Sequence, residues 1–139
     1  MILLDTDVVT FAHHRHPNVL RRLTTMGGEK AGIAVVTRYE ILRGRVENIL
    51  KAADEGELEK AADRFRKSEE FLAEFSIIHF DAAAIAHFGQ LRKLRNLRKI
   101  GRADLLIACI ALAQGALLAT RNVKDFKEVP GLRVENWVD

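Results

Sequence analysis

Short apolar runs alternate with longer amphipathic stretches along this chain. Ile2–Leu4, Ile33–Val36, Ile77–Phe80 and Ala116–Thr120 are compact apolar runs, the second rich in β-branched residues, and they predict four strands. Leu132–Val134 predicts a short fifth. Between them the spacing turns helical. Helices are predicted over 7–13 and over 17–26, the second with Pro17 near its start and Gly27-Gly28 as its stop. Thr37 is placed at the opening of a helix reaching about Leu50. In 57–75, Leu58, Ala61, Phe65, Ser68 or Glu69, Leu72 and Phe75 form one stripe with a polar break. Asp81 is a candidate N-cap for a helix carrying Ile85, Phe88 and Leu91. A last helix is expected over 102–114, stopped by Gly115.

Strands separated by helices indicate βαβ units. The expectation is one α/β domain over 1–139, in three layers, with a central parallel sheet of four to five strands flanked by helices. Ligand sites in such sheets lie beyond the carboxyl ends of the strands, so chemistry is sought there. Asp5, Thr6 and Asp7 follow the first strand. Thr37 and Glu40 follow the second. Thr120, Asn122 and Asp125 follow the fourth, where the apolar Leu117-Leu118-Ala119 turns abruptly polar, and Asp104 stands in the first turn of the preceding helix.

Carboxylates gathered on one rim repel and raise each other's pKa. A hard divalent cation, Mg²⁺ or Mn²⁺, removes that cost, prefers carboxylate oxygens, and activates water against a phosphodiester. Each residue also has a plainer role. Asp5 and Asp7 fit N-caps, and Thr37-x-x-Glu40 fits a capping box. Asp104 fits a first-turn acid favoured by the helix dipole, and Asp125 a turn acid. Thr6 and Thr120 orient a carboxylate or make ordinary strand-end hydrogen bonds. The convergence of all these groups, rather than any one residue, points to a metal site. Asn122 is an alternative to Asp125 in completing it.

The composition, 48% apolar and 29% charged in 139 residues, suits a globular domain, and no apolar run is long enough to cross a bilayer. MILLD has neither a basic n-region nor a long h-region, so a cytoplasmic protein is expected. Cys109 is the sole cysteine, which rules out an internal disulfide and predicts a buried thiol. The net charge of +3 hints at an anionic partner. Arg92, Lys93, Arg95, Arg98, Lys99 and Arg102, interleaved with Leu91, Leu94, Leu97 and Ile100, predict a basic helix leading to Asp104; it reads as an RNA-backbone contact or as a solvated face. His13-His14-Arg15-His16 lacks the ligand spacing of a zinc site and fits a surface or RNA contact.

The segments ILLDTDVVTF, VVTRYEILRG and GRADLLIACIALAQGALLATRNVKDFKEVPGLRVENW together resemble a PIN domain, and more narrowly the VapC toxins of type II toxin–antitoxin pairs, over nearly the whole chain. The resemblance implies that Asp5, Glu40 and Asp104 are the three most consistent metal-site acids and that Asp125 supplies the fourth. It implies a Mg²⁺- or Mn²⁺-dependent endoribonuclease that inhibits translation. It also implies a homodimer and a VapB-type antitoxin that blocks the active site and binds DNA through its own domain, so that DNA is met only indirectly. The first motif reads Asp5-Thr6-Asp7 where the family often has D-T-N, which leaves position 7 open.

Two rival readings remain. ILLDTDVV also fits the D-x-D-x-[TV] signature of haloacid-dehalogenase-like phosphatases, with Asp5 as nucleophile and Asp7 as general acid. That family needs a late acidic pair after a strand, where Thr120-Arg121-Asn122 stands instead. The other rival is an RNA-binding PIN-like module without catalysis, against which the presence of all four acids argues.

Overall fold

The computed structural model describes residues 1–28 and 30–139. Five parallel strands form one sheet: β1 (Ile2–Leu4), β2 (Ala31–Ala34), β3 (Ser76–Ile78), β4 (Leu117–Ala119) and β5 (Arg133–Glu135). Their spatial order is β3-β2-β1-β4-β5. Helices α1 (Thr6–His13) and α2 (Pro17–Thr24) join β1 to β2, and α3 (Val35–Leu50) and α4 (Glu55–Leu72) join β2 to β3. Then α5 (Ala82–Leu91), a 3-10 turn (Arg95–Leu97) and α6 (Arg102–Ala113) lead to β4, and α7 (Val123–Phe126) leads to β5.

The strands are short, yet the central ones are buried on both faces. Leu3, Ala34 and Leu118 point into one core with Ile107, Cys109, Ile110 and Phe126. Their neighbours Leu4, Ile33 and Ala119 point into the other with Val8, Val9, Val19, Leu72 and Trp137. This period-2 alternation needs apolar residues at every position of a central strand, which is why those runs carry no polar break. The result is the expected three-layer α/β arrangement, with α5–α7 on one face and α1, α2 and α4 on the other. Cys109 is fully buried, and burial pushes its thiol up to about 11.

Several boundaries behave as the sequence predicts. Asp81 caps α5, its Oδ1 accepting from Ala84 N at 2.8 Å. Gly115 ends α6 with φ +59°, a left-handed conformation glycine adopts without strain. Others differ. The second strand ends at Ala34, and the β-branched pair Val35-Val36 opens α3 instead of closing the strand. Thr37 therefore lies inside α3, whose N-cap is Ala34, and the Thr37–Glu40 capping box does not form. The long helix starts at Glu55, with Asp54 as its N-cap accepting from Glu57 N. Its stripe runs through the buried Ser68 and not the exposed Glu69.

The predicted basic helix over 92–102 is not a helix. α5 stops at Leu91 and the chain descends through the 3-10 turn to Gly101. Leu91, Leu94, Leu97 and Ile100 are three residues apart, which suits a three-residue turn better than a 3.6-residue helix. All but the half-buried Leu94 are buried against α6 and its neighbours, leaving the cations outside.

Candidate active site

The strand order switches between β1 and β4, whose connections lead to opposite sides of the sheet, and such a switch point is where α/β sheets bind ligands. Asp5 is the first residue beyond β1 and Thr120 the first beyond β4. Asp5 is almost fully buried and is the N-cap of α1, with Oδ1 accepting from Thr6 N at 2.8 Å. Its Oδ2 accepts from Thr120 Oγ1 at 2.7 Å. Asp5 therefore caps α1 while standing at the rim. Each oxygen receives one hydrogen bond in these contacts and keeps lone-pair capacity for a cation.

Burial pushes the Asp5 carboxyl up to about 7; the Thr120 and Thr6 hydrogen bonds oppose the rise, and the charges of Asp7 and Asp104 add to it. Asp7, in the first turn of α1, is also raised by burial. Its Oδ2 accepts from Arg121 N at 3.2 Å, while its Oδ1 is buried without a hydrogen-bond partner.

Asp104, half-buried in the first turn of α6, is raised by burial and then by the charges of Glu40, Asp125 and Asp7. The Asn122 side chain donates to it in partial compensation, and also to Asp125 Oδ2 at 3.0 Å. Asn122 and Asp125 are thus joined to each other at the rim. Glu40 extends from α3 to α1, where its Oε1 accepts from Thr6 Oγ1 at 2.7 Å. Thr6 Oγ1 also meets the fully buried Thr37 Oγ1 at 3.0 Å. The capping-box reading obscured this contact of Thr37 with Thr6.

Five acids from four segments thus feel one another at one rim. Among the described residues no three acids, histidines or cysteines are grouped so that together they could hold a metal ion. Mg²⁺ does not require such a group, because it keeps several waters and takes one or two carboxylates. The donor set fits a hard divalent cation on two observations: the partnerless buried Asp7 Oδ1, and three carboxyls raised by burial and mutual charge.

Cations stand beside the rim. A cavity of about 550 Å³ has the cations Arg95, Arg98, Lys99, Lys124 and Lys127 in its wall, together with the acids Asp125 and Glu128. Of the predicted backbone contacts it includes Arg95, Arg98 and Lys99, but not Arg92, Lys93 or Arg102. The Arg102 guanidinium instead covers the Phe88 ring at 5.1 Å. Lys124 and Lys127 were missed because α7, only four residues long, has no readable period. In the histidine cluster, His13 stacks on Phe71 with centroids 4.6 Å apart and His16 meets Phe11 edge-on at 5.2 Å. These rings are engaged in packing, and no metal cluster is found among the described residues.

Comparison with known proteins gives one consistent answer. The family profile of the PIN domain matches residues 2–132. Ribonuclease VapC2 of Rickettsia felis is 30% identical over 139 residues, covering 97% of this chain and 96% of the relative. The tRNA(fMet)-specific endonuclease VapC of Shigella flexneri is 29% identical over 137 residues, covering 97% and 96%. Among solved structures, VapBC2 from Rickettsia felis bound to a DNA fragment from its promoter superposes with a TM-score of 0.78 at 31% identity, covering 99% of both chains. VapBC-1 from nontypeable Haemophilus influenzae has a TM-score of 0.81 at 24% identity, covering 100% of both, and supports the fold.

Proposed function

This chain belongs to the PIN-domain family, and on that premise we propose that it is a Mg²⁺- or Mn²⁺-dependent endoribonuclease, the toxin of a toxin–antitoxin pair, that inhibits translation by hydrolysing RNA phosphodiester bonds. The observation that carries the reading is the rim itself, with the buried Asp5 raised to about 7 among Asp7, Glu40, Asp104 and Asp125. The names of the relatives support the same activity. Asp5, Glu40, Asp104 and Asp125 would hold one or two divalent ions, directly or through the ions' waters, with Asp7 close by. A bound divalent ion lowers the pKa of its water and offsets charge on a phosphodiester.

The rest of the site holds these carboxylates in place. Thr120 and the Thr6 amide fix Asp5, Thr6 with Thr37 fixes Glu40, and Asn122 links Asp104 to Asp125. The cations of the neighbouring cavity supply a surface for RNA phosphates.

The partner is an antitoxin, by analogy with the VapBC complexes. A groove of about 650 Å³ between α3 and α4 supports this reading. Tyr39, Leu42, Val46, Leu50 and Phe65 line it, and Tyr39 and Leu50 are largely exposed. Because Tyr39 adjoins Glu40, an apolar segment lying there would reach the acidic rim. DNA then enters only through the antitoxin, and the homodimer is part of the same reading, testable by sedimentation equilibrium.

The decisive assay incubates the purified chain with RNA. Cleavage is expected with Mg²⁺ or Mn²⁺ and is lost in EDTA and in Asp5→Asn and Asp104→Asn. Cleavage by either variant at the wild-type rate overturns the assignment. A phosphorylated Asp5 would revive the phosphatase reading, which the family match displaces.

A further inference from the structure

A second group of cations lies where the end of α1 meets α3 and α4. His13, His14, Arg45, Arg64, Lys67 and Ser68 line a cavity of about 340 Å³ whose wall contains no acid. Lys67 pairs with Asp63 at 2.9 Å, whereas among the described residues Arg45 and Arg64 form no ion pair. The cavity is also ordered. Arg45 Nε donates at 3.1 Å to Ser68 Oγ, and Ser68 is 1% exposed. The His13 ring is held flat against Phe71. Burial, then the charges of His14 and Arg45, lower the proton affinity of His13, as expected where like charges crowd without a counter-ion.

Its position relative to the acids gives it a role. The seam between α1 and α3 has the Thr6–Glu40 hydrogen bond at one end and His13 beside Arg45 at the other. At 1.5 Å per residue, Glu40 and Arg45 are about 7–8 Å apart along α3, and Thr6 and His13 about 10 Å apart along α1. A short stretch of single strand spans such a distance.

We propose that this cavity holds a backbone phosphate of the RNA strand, flanking the phosphodiester that lies at the acidic rim. The assignment rests on the ribonuclease reading and adds to it a subsite on the side of the rim formed by α1 and α3. Guanidinium groups match phosphate in a fork geometry, and Arg45, already oriented by Ser68, loses little freedom in binding one.

The test measures binding apart from cleavage. A labelled oligoribonucleotide is titrated with the full chain in EDTA, wild type against Arg64→Glu. Arg64 is exposed and without an ion pair, so the fold is expected to stand, and circular dichroism checks this. Binding should weaken about tenfold, with a salt dependence shallower by about 0.7 per lost phosphate contact. A strand with one flanking phosphate replaced by a neutral methylphosphonate should bind the wild type equally weakly, and Arg64→Glu should weaken it no further. Unchanged affinity overturns the proposal, as does an additive loss on the neutral strand. If inorganic phosphate or an acidic peptide depends on Arg64 while RNA does not, the cavity is a free-anion or protein site and the proposal falls. Wild-type chain that binds RNA through Arg64 but never cleaves it with Mg²⁺ overturns the ribonuclease reading alone. Wild-type cleavage combined with Arg64-independent binding overturns the subsite alone.

Discussion

Thr120 Oγ1 donates to Asp5 Oδ2 at 2.7 Å, joining residues 115 apart in sequence at the carboxyl ends of the paired strands β1 and β4. The same oxygen accepts from Asn122 N at 3.0 Å. One fully buried hydroxyl thus orients the carboxylate after β1 and the polar turn after β4. Thr120→Val keeps the shape but leaves Asp5 Oδ2 and the Asn122 amide without this partner. A loss of about 1–3 kcal/mol in denaturant unfolding is expected, with weaker Mg²⁺ binding by calorimetry. Thr120→Ser should restore both. If Thr120→Val matches wild type in both measurements, the hydroxyl does not position Asp5.

The raised Asp5 makes metal-free stability depend on pH. Unfolded, the carboxyl titrates near 3.8; folded, near 7. Between those values the folded chain keeps a proton that the unfolded chain has released. The stability due to this group is complete below about pH 4 and is lost as pH rises through 7. At about 1.4 kcal/mol per pKa unit the loss is on the order of a few kcal/mol. In EDTA, wild-type Tm should fall relative to Asp5→Asn from pH 4 to 7.5, and Mg²⁺ should restore only the wild type. Parallel Tm curves for the two proteins would show that Asp5 is not raised.

Asp81 and Asp104 both stand at helix starts, yet opposite effects are expected of them. Asp81 Oδ1 accepts from Ala84 N and caps α5, so Asp81→Ala should lower stability by about 1 kcal/mol and leave RNA cleavage intact. Asp104 stands among Glu40, Asp125 and Asp7, so Asp104→Asn should leave metal-free stability unchanged or higher while abolishing cleavage. Equal melting temperatures for the two variants in EDTA would remove this distinction.

These contrasts mark how far the sequence is legible. The alternation of apolar runs and amphipathic stretches sufficed for the parallel sheet, because a strand buried on both faces must be apolar throughout. The rim followed from topology, since acids after parallel strands share one edge. Local spacing failed where two structures share one pattern. Thr37-x-x-Glu40 looks the same at a helix cap and one turn inside, and only the packing of Thr37 against Thr6 separates them. Val35 and Val36 carry strand propensity but follow the last strand residue, so their position in the fold decides. Leucines at a spacing of three fit a helix or a 3-10 turn until their burial against α6 is seen.

Thr6 joins a positioning role to a folding one, since its hydroxyl meets both Glu40 and the buried Thr37 hydroxyl. Its hydroxyl donates to Glu40 Oε1 at 2.7 Å, and its only proton is committed there, so the Thr37 hydroxyl serves as donor to Thr6 in turn. A hydrogen bond to a carboxylate contributes about 1.5–3 kcal/mol. Thr6→Val removes it and also takes away the partner of the fully buried Thr37 hydroxyl, so a stability loss of about 1–3 kcal/mol is expected beside the effect on Glu40. Glu40, no longer held toward α1, should lower kcat/KM for RNA by roughly tenfold to a hundredfold, each factor of ten being about 1.4 kcal/mol. Thr6→Ser preserves the donor and should retain activity. Thr37→Val strikes the same chain one step back and leaves only the half-buried Thr6 hydroxyl without this partner, so it should cost less stability than Thr6→Val while also reducing cleavage. If Thr6→Val cleaves RNA as the wild type does, the Thr6–Glu40 bond is incidental to catalysis, and the relay from Thr37 through Thr6 to Glu40 is structural only.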